Sequence, residues 1–371
     1  EIFVTGDQAA EFLDHALIGI ASEIAVGRAK YSMICNKDGG IIDDLIVYRL
    51  GEDRFLVIAN AGNRHSVVHA LHDRKDEFAV VVDDQSDDWA LIAVQGPKAT
   101  GILQQLTETE LEPLKYYSIA ASTFAHVSAY LCRTGYTGED GFEVLVPADE
   151  ASKVWNAILA EGETEGLIAA GLACRDTLRL EAGMPLYGHE LDEDHTPFEA
   201  GLGRVVRLDE GHEFVGRHGL EKRQEPSERL VGIVGEGKRA ARADYELRHP
   251  ETGATIGRIT SGAGMAALGV AGIVHWADIG AEGVTEIDKA GFGQNLGAGD
   301  GFAVLVDEGE IAADVAAAAA HLRKVGLLVT AAEAQRAPLM LDNSVLRLSP
   351  HLDVTRQDLD RLAAELRTMG Y

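Results

Sequence analysis

One short pattern occurs twice in this chain and limits the folds open to it. Ile2, Val4, Gly6, Ala9 and Leu13 recur as Ile92, Val94, Gly96, Ala99 and Leu103, each 90 positions on. In both copies, alternate apolar residues mark a half-buried strand. A glycine follows, and then an alanine and a leucine share one face of a helix. A strand–glycine–helix unit used twice implies two half-domains built on one plan. Asp7 is a candidate N-cap for the first helix.

The second constraint lies at Asn36-Lys37-Asp38-Gly39-Gly40, a polar turn that runs straight into Ile41-Ile42-Asp43-Asp44-Leu45-Ile46-Val47-Tyr48. The turn and the β-branched run predict a tight reversal and then a buried strand. Neighbours on a strand point to opposite faces, so Asp43 and Asp44 cannot share one environment. One of them is expected to point inward, beside Ile46 and Tyr48. A carboxylate in an apolar setting needs a partner. Either it is a turn cap beside a solvated neighbour, or it serves chemistry.

Composition narrows the class. The chain has 371 residues and a net charge of −27, from 60 acidic and 33 basic side chains. Such a surface repels phosphate backbones and anionic lipid, so neither nucleic acid nor membrane is expected as a partner. Cys35, Cys132 and Cys174 show no metal-type spacing, and an odd number without a disulfide pattern suits a reducing cytoplasm. No apolar run approaches the ~20 residues of a membrane span.

Along the chain, Phe55–Asn63 reads as a strand ending in an Asn/Gly turn, and 64–75 as a helix. Phe78–Val82 and Trp89–Val94 read as strands, 145–160 as a helix, and Arg204–Leu208 as a strand. Gln224-Glu225-Pro226-Ser227-Glu228 is the best linker. The expected domains are therefore 1–225, then a small β-domain over 229–280, then an atypical α/β tail over 281–371. In that tail, helices are expected over about 311–324 and 356–368, the latter capped by Thr355. The last segment is faintly similar to the end of fold-type I aminotransferases. No lysine with a convincing cofactor context supports pyridoxal phosphate. Nor is there a Gly-rich dinucleotide fingerprint or a flavin domain. His189 and His195, in the acidic stretch Glu190–Asp194, have the look of a metal site.

Longer blocks carry a resemblance. Tyr31–Arg49, Gln95–Ala99, Arg133–Glu143, Gly171–Gly188 and Phe214–Arg217 resemble, in order, the signature blocks of the aminomethyltransferase family, which supplies the T-protein of the glycine cleavage system. The resemblance spans about residues 1–270. It implies an α+β fold of paired ferredoxin-like subdomains with a folate pocket between them, then a β-barrel-like domain. It implies tetrahydrofolate as co-substrate, with no metal, and a lipoyl-bearing H-protein as partner.

Residue by residue, the resemblance makes Asp44 the catalytic aspartate and matches Glu143 and Arg175 to folate-binding positions. A carboxylate at Glu143 suits the amino-pyrimidine edge of a pterin, which can donate two parallel hydrogen bonds. Tyr31, Tyr136, Tyr48, Asn60 and Tyr117 are further pocket candidates, and Arg239 is a possible β-domain contact. An Asp-Val-Ser-His segment of the family has no counterpart in these residues, and weaker ligand binding is expected from that. Two rival readings accompany this one: a folate-dependent demethylase of another small methylated donor, and a folate-binding protein without catalysis.

Overall fold

The computed structural model of the chain describes residues 1–226, 228–233, 243–248 and 252–262, together with the backbone of short strands beyond them. The helices expected at 311–324 and 356–368, and Arg239, lie outside the described residues. The chain forms two compact units. The first holds Ile2–Asp83 and Asp176–Ala316; the second holds Glu1, Asp84–Arg175 and Ala317–Tyr371.

In the first unit, strands β1 (Ile2–Thr5), β2 (Ala29–Cys35), β3 (Ile41–Gly51), β4 (Arg54–Ala59) and β5 (Val81–Asp84) form one sheet in the order β2-β3-β4-β1-β5. The pairs β2–β3, β3–β4 and β1–β4 are antiparallel. Helices α1 (Ala9–Ala16) and α2 (Arg64–Arg74) seal one face. Phe12 and Leu13 of α1 and Val67 and Leu71 of α2 bury themselves against Ile2, Val4, Leu45, Val47 and Val57. A second cluster, with Met33, Ile41, Leu191, Phe214 and Leu220, packs residues 191–220 against β2 and the start of β3.

The second unit repeats the scheme. Strands β6 (Trp89–Gln95), β7 (Ile119–Phe124), β8 (Val127–Cys132) and β9 (Gly141–Pro147) run in the order β6-β9-β8-β7, and the strand Leu328–Ala331 adds to the β6 edge. Helices α3 (Ala99–Gln104) and α4 (Ala151–Gly162) cover the face that carries Ile92, Val94, Phe142, Val144 and Val146.

The repeated pattern has one geometry in both units. Gly6 (φ +132°) and Gly96 (φ +128°) each take a backbone conformation that L side chains rarely adopt. Each offers its carbonyl to the amide three residues on, Ala9 at 2.9 Å and Ala99 at 3.0 Å, and so opens the helix. Gly6 also leaves no room for a side chain, because a Cβ there would lie 2.4 Å from the Ala79 carbonyl oxygen.

Further along, α5 (Leu172–Glu181) and α6 (Arg217–Lys222) follow, and then β10 (Glu228–Ile233), β11 (Glu246–Arg248), β12 (Thr255–Gly262) and β13 (Val270–His275). These four strands form a sheet in the order β10-β13-β12-β11. Arg179 of α5 is fully buried in the first unit. It pairs with buried Glu190 at 3.0 Å and also donates to Ser261 Oγ at 2.8 Å and the Met184 carbonyl at 3.1 Å. These bonds tie α5 to the 183–191 loop and to β12. All three cysteines are buried and none is in a disulfide.

The structure corrects four local readings. Arg204–Leu208 is not a strand: a 3-10 turn over Gly203–Val205 takes its start, closed by Val206 N to Gly203 O at 3.2 Å. Gly203 permits the turn because the Phe198 ring lies where a Cβ would point, 2.7 Å away. The strand expected from Phe78 begins only at Val81, since the backbone still turns before it: Phe78 N donates to Lys75 O at 2.8 Å and Val80 N to Phe78 O at 2.9 Å. Residues 145–147 finish β9, and the helix starts at Ala151. Helix α1 starts at Ala9, preceded by Gln8, with no side-chain cap from Asp7.

Candidate active site

The turn before β3 is fixed by Asn36. Its Oδ1 accepts from Asp38 N at 3.0 Å and Gly40 N at 2.9 Å, while Gly39 sits at φ +89°. Residues 192–195 then clamp the first residue of β3, as Ile41 N donates to Asp192 O at 2.9 Å and to His195 O at 3.2 Å. The clamp is close: a Cβ on Gly40 would lie 1.7 Å from Glu193 O.

From this fixed start β3 sends Asp43 and Asp44 to opposite faces. Asp43, not Asp44, is the inward one. It has no exposed surface and shares the helix-covered face with Leu45 and Val47. Asp44 lies half-buried on the other face, with Ile46 and buried Tyr48.

Asn60 sits where β4 ends, one residue past Ala59, which pairs with Leu45. Its Nδ2 donates to Asp43 Oδ1 at 2.9 Å and to Asp44 Oδ1 at 2.8 Å. Tyr31 Oη donates to Asp44 Oδ2 at 3.0 Å. Asp43 also accepts from Asn60 N at 2.9 Å and Asn63 Nδ2 at 2.6 Å. Burial raises the Asp43 carboxyl to about 7; the two asparagines pull it down, and the neighbouring Asp44 charge pushes it up. Tyr187 belongs to the same surroundings. Burial first, and then the charges of Glu193, Asp43, Asp192 and Asp44, push its phenol up to about 12. Tyr31, Asp44 and Asn60 thus come together in the first unit, and Tyr48 lies further along the same face of β3. Asp43, Asn63 and Tyr187 join them without having been singled out as site residues.

Glu143 stands in the second unit on β9, opposite Ala93 of β6 and Cys132 of β8, facing away from α3 and α4. Thr134 Oγ1 donates to Glu143 Oε2 at 2.5 Å. Burial raises the carboxyl, and the Thr134 hydroxyl and the Arg175 charge oppose the rise. The Arg175 guanidinium lies over the Tyr136 ring, 4.6 Å from its centroid. Tyr117 has φ +60°, and its ring meets Tyr116 edge-on with centroids 4.8 Å apart. Glu143, Arg175, Tyr136 and Tyr117 all belong to this unit, with Thr134 as an added member.

Two side chains hold the 133–141 turn that carries Thr134 and Tyr136. Arg133 donates to both oxygens of Asp140, at 3.0 and 2.8 Å. Buried Gln95 donates to Thr134 O at 3.1 Å and Phe142 O at 3.2 Å. Gly135 and Gly141 make room for the Gln95 amide, which a Cβ at Gly135 would meet at 1.8 Å.

His189 and His195 are used locally. His189 Nδ1 lies 2.9 Å from Thr260 O, and His195 Nδ1 lies 2.6 Å from Asp192 Oδ1. Among the described residues no His, Cys, Asp and Glu side chains group to hold a metal, and no helix is long and apolar enough to cross a membrane.

Comparison with known proteins places these residues in a wider set. A family model described as the GCVT N-terminal domain matches residues 1–210. An aminomethyltransferase of Streptomyces avermitilis is 52% identical over 274 residues, covering 72% of this chain and 73% of that one. An aminomethyltransferase of Thermotoga maritima is 44% identical over 263 residues, covering 71% of each. The crystal structure of the glycine cleavage system aminomethyltransferase T from Bartonella henselae superposes with a TM-score of 0.69 at 33% identity. It covers 74% of this chain and 76% of that one.

Proposed function

The chain belongs to the aminomethyltransferase family, the T-protein family of the glycine cleavage system, and from that premise we propose that Asp44 is its catalytic carboxylate and Glu143 its folate anchor. The chain is a transferase that moves a one-carbon unit from an aminomethyl-lipoyl carrier to tetrahydrofolate with release of ammonia. The family works with the H-protein. We extend that to this chain: the lipoyl arm of an H-protein delivers the substrate, in the cytoplasm. The demethylase and bare-binder readings are not favoured by these relatives.

The observation that carries the reading is the setting of Asp44. A half-buried carboxylate, held from one side by Tyr31 and from the other by Asn60, is fixed and ready to act on a charge that develops beside it. Loss of ammonia breaks the C–N bond and leaves the sulfur-bound carbon electron-poor; N5 of tetrahydrofolate attacks it, and closure onto N10 breaks the C–S bond and returns the dihydrolipoyl thiol. Asp44 stabilises the positive charge and relays a proton.

Glu143, in the second unit, suits a pterin edge. Thr134 occupies Oε2, and Oε1 makes no hydrogen bond among the described residues. A carboxylate so placed accepts from an amino-pyrimidine edge. Arg175 and the Tyr136 ring beside it offer charge and a flat apolar face. The paired ferredoxin-like plan and the boundaries 1–225, 229–280 and 281–371 belong to the same proposal.

The test is calorimetric titration of tetrahydrofolate into the chain, Glu143→Ala and Asp44→Asn, followed by a transfer assay with aminomethylated H-protein. Glu143→Ala is expected to abolish binding. Asp44→Asn is expected to bind and yet lose on the order of 10²-fold or more in turnover. Tight binding by Glu143→Ala would remove Glu143 from the site, and full turnover by Asp44→Asn would remove Asp44.

A further inference from the structure

Asp43 is a carboxylate where the fold should tolerate none. It lies on the helix-covered face of β3, across from buried Ile34 on β2 and flanked by the core residues Leu45 and Val47. An unpartnered charge there costs several kcal/mol. The chain supplies it with three N–H donors, all from residues 60–63, the short turn that leads into α2.

One of those donors has a second task. The Asn60 amide nitrogen carries two hydrogens, and it reaches Asp43 Oδ1 at 2.9 Å, Asp44 Oδ1 at 2.8 Å and the Asp44 carbonyl at 3.2 Å. Turned over, the amide would present its oxygen to two carboxylates. Its orientation is therefore dictated by both acids together. A plain structural carboxylate would need the Asn60 backbone and Asn63, but not a donor shared with its neighbour.

We propose that Asp43, in its ionised form, is a positioning residue for aminomethyl transfer, holding the Asn60 amide in the orientation that donates to Asp44. The proposal rests on the reading of Asp44 as the catalytic carboxylate.

The charge state of Asp43 is what the hydrogen bonds read. Three N–H groups point at its two oxygens, which suits a carboxylate; a proton on either oxygen would face a donor. The groups facing it are Asp44 on its own strand, Asn60 and Asn63 from the turn before α2, and Tyr187 from the 183–191 loop. Burial lifts its carboxyl to about 7, so the proton arrives as the medium passes through neutrality. Turnover is expected to fall on the acid side of that point, because protonation of Asp43 weakens its hold on the Asn60 amide that donates to Asp44.

The experiment follows kcat and the KM for tetrahydrofolate against pH in the full chain and in Asp43→Asn, Asn63→Ala and Asp44→Asn, with H-protein as donor. Asp43→Asn is expected to lower kcat by roughly 10- to 100-fold through misplacement of Asp44. It should leave the KM for tetrahydrofolate near that of the parent and abolish the acid limb near neutrality. Asn63→Ala removes a donor that lowers the Asp43 carboxyl, and is expected to move the limb to higher pH.

A parental acid limb retained in Asp43→Asn, or unchanged kcat, overturns the proposal. If Asp43→Asn does not fold, the limb in Asn63→Ala decides, and an unmoved limb overturns it. Asp44→Asn separates the two readings. Full turnover there sinks the reading of Asp44 itself, whereas an inactive Asp44→Asn beside a parental Asp43→Asn sinks only the role of Asp43.

Discussion

Thr134 sets the charge of Glu143 more directly than any lysine or arginine does. Its hydroxyl hydrogen bond leads the forces that oppose burial, and the Arg175 charge comes after it. Thr134→Val removes the hydroxyl and keeps the shape, so the Glu143 carboxyl is expected to rise further. That favours the protonated form, which cannot accept two hydrogen bonds. Tetrahydrofolate affinity is expected to drop, and to recover at higher pH. Calorimetry at two pH values checks it; an equal loss at both would mean that Thr134 acts by packing alone. Thr134 could not be picked out beforehand, because a threonine inside a Gly-rich turn reads as turn chemistry. Asp44, Tyr31 and Asn60 were legible as candidates. Asp43 was not, for a physical reason: strand alternation separates two faces but does not say which one receives donors from elsewhere in the chain.

At the level of elements, β3 is set in place by what grips its first residue. The 192–195 segment binds Ile41 from a distance of some 150 positions in sequence, and Gly40 is the gap that lets it approach. Gly40→Ala places a methyl group against the Glu193 carbonyl and forces the segment away. Overpacking of this kind costs about 1–3 kcal/mol. A lower thermal midpoint is expected, with turnover reduced more than tetrahydrofolate binding at Glu143; unchanged turnover would detach the clamp from Asp44. The twofold strand–glycine–helix plan was legible because its signals are local: alternation, a glycine and a helical spacing. Arg204–Leu208 was misread for the converse reason. Its β-branched pair Val205-Val206 resembles a strand, but the chain turns over Gly203–Val205, where the Phe198 ring leaves no room for a side chain on Gly203.

Over the molecule as a whole, the acidic surface and the buried polar pins do different jobs. A net charge of −27 disfavours contact with polyanions. The Arg179–Glu190 pair, with both side chains 1% exposed, fixes where α5 meets the loop that ends in Leu191. Its value lies in specifying that junction, since a buried ion pair is weak support for stability as such. The buried thiols, finally, make the protein its own clock. Cys35 lies in the first unit, and Cys132 and Cys174 in the second. Burial pushes the Cys35 thiol up to about 12, so at neutral pH it is almost wholly protonated and sealed from reagents. A thiol-reactive probe followed by mass spectrometry is expected to label each cysteine only as fast as its own unit opens. Immediate labelling of Cys35 in native buffer would contradict this. Rates that part company in mild denaturant would show which carboxylate centre, that of Asp44 or that of Glu143, sits in the unit that loosens first.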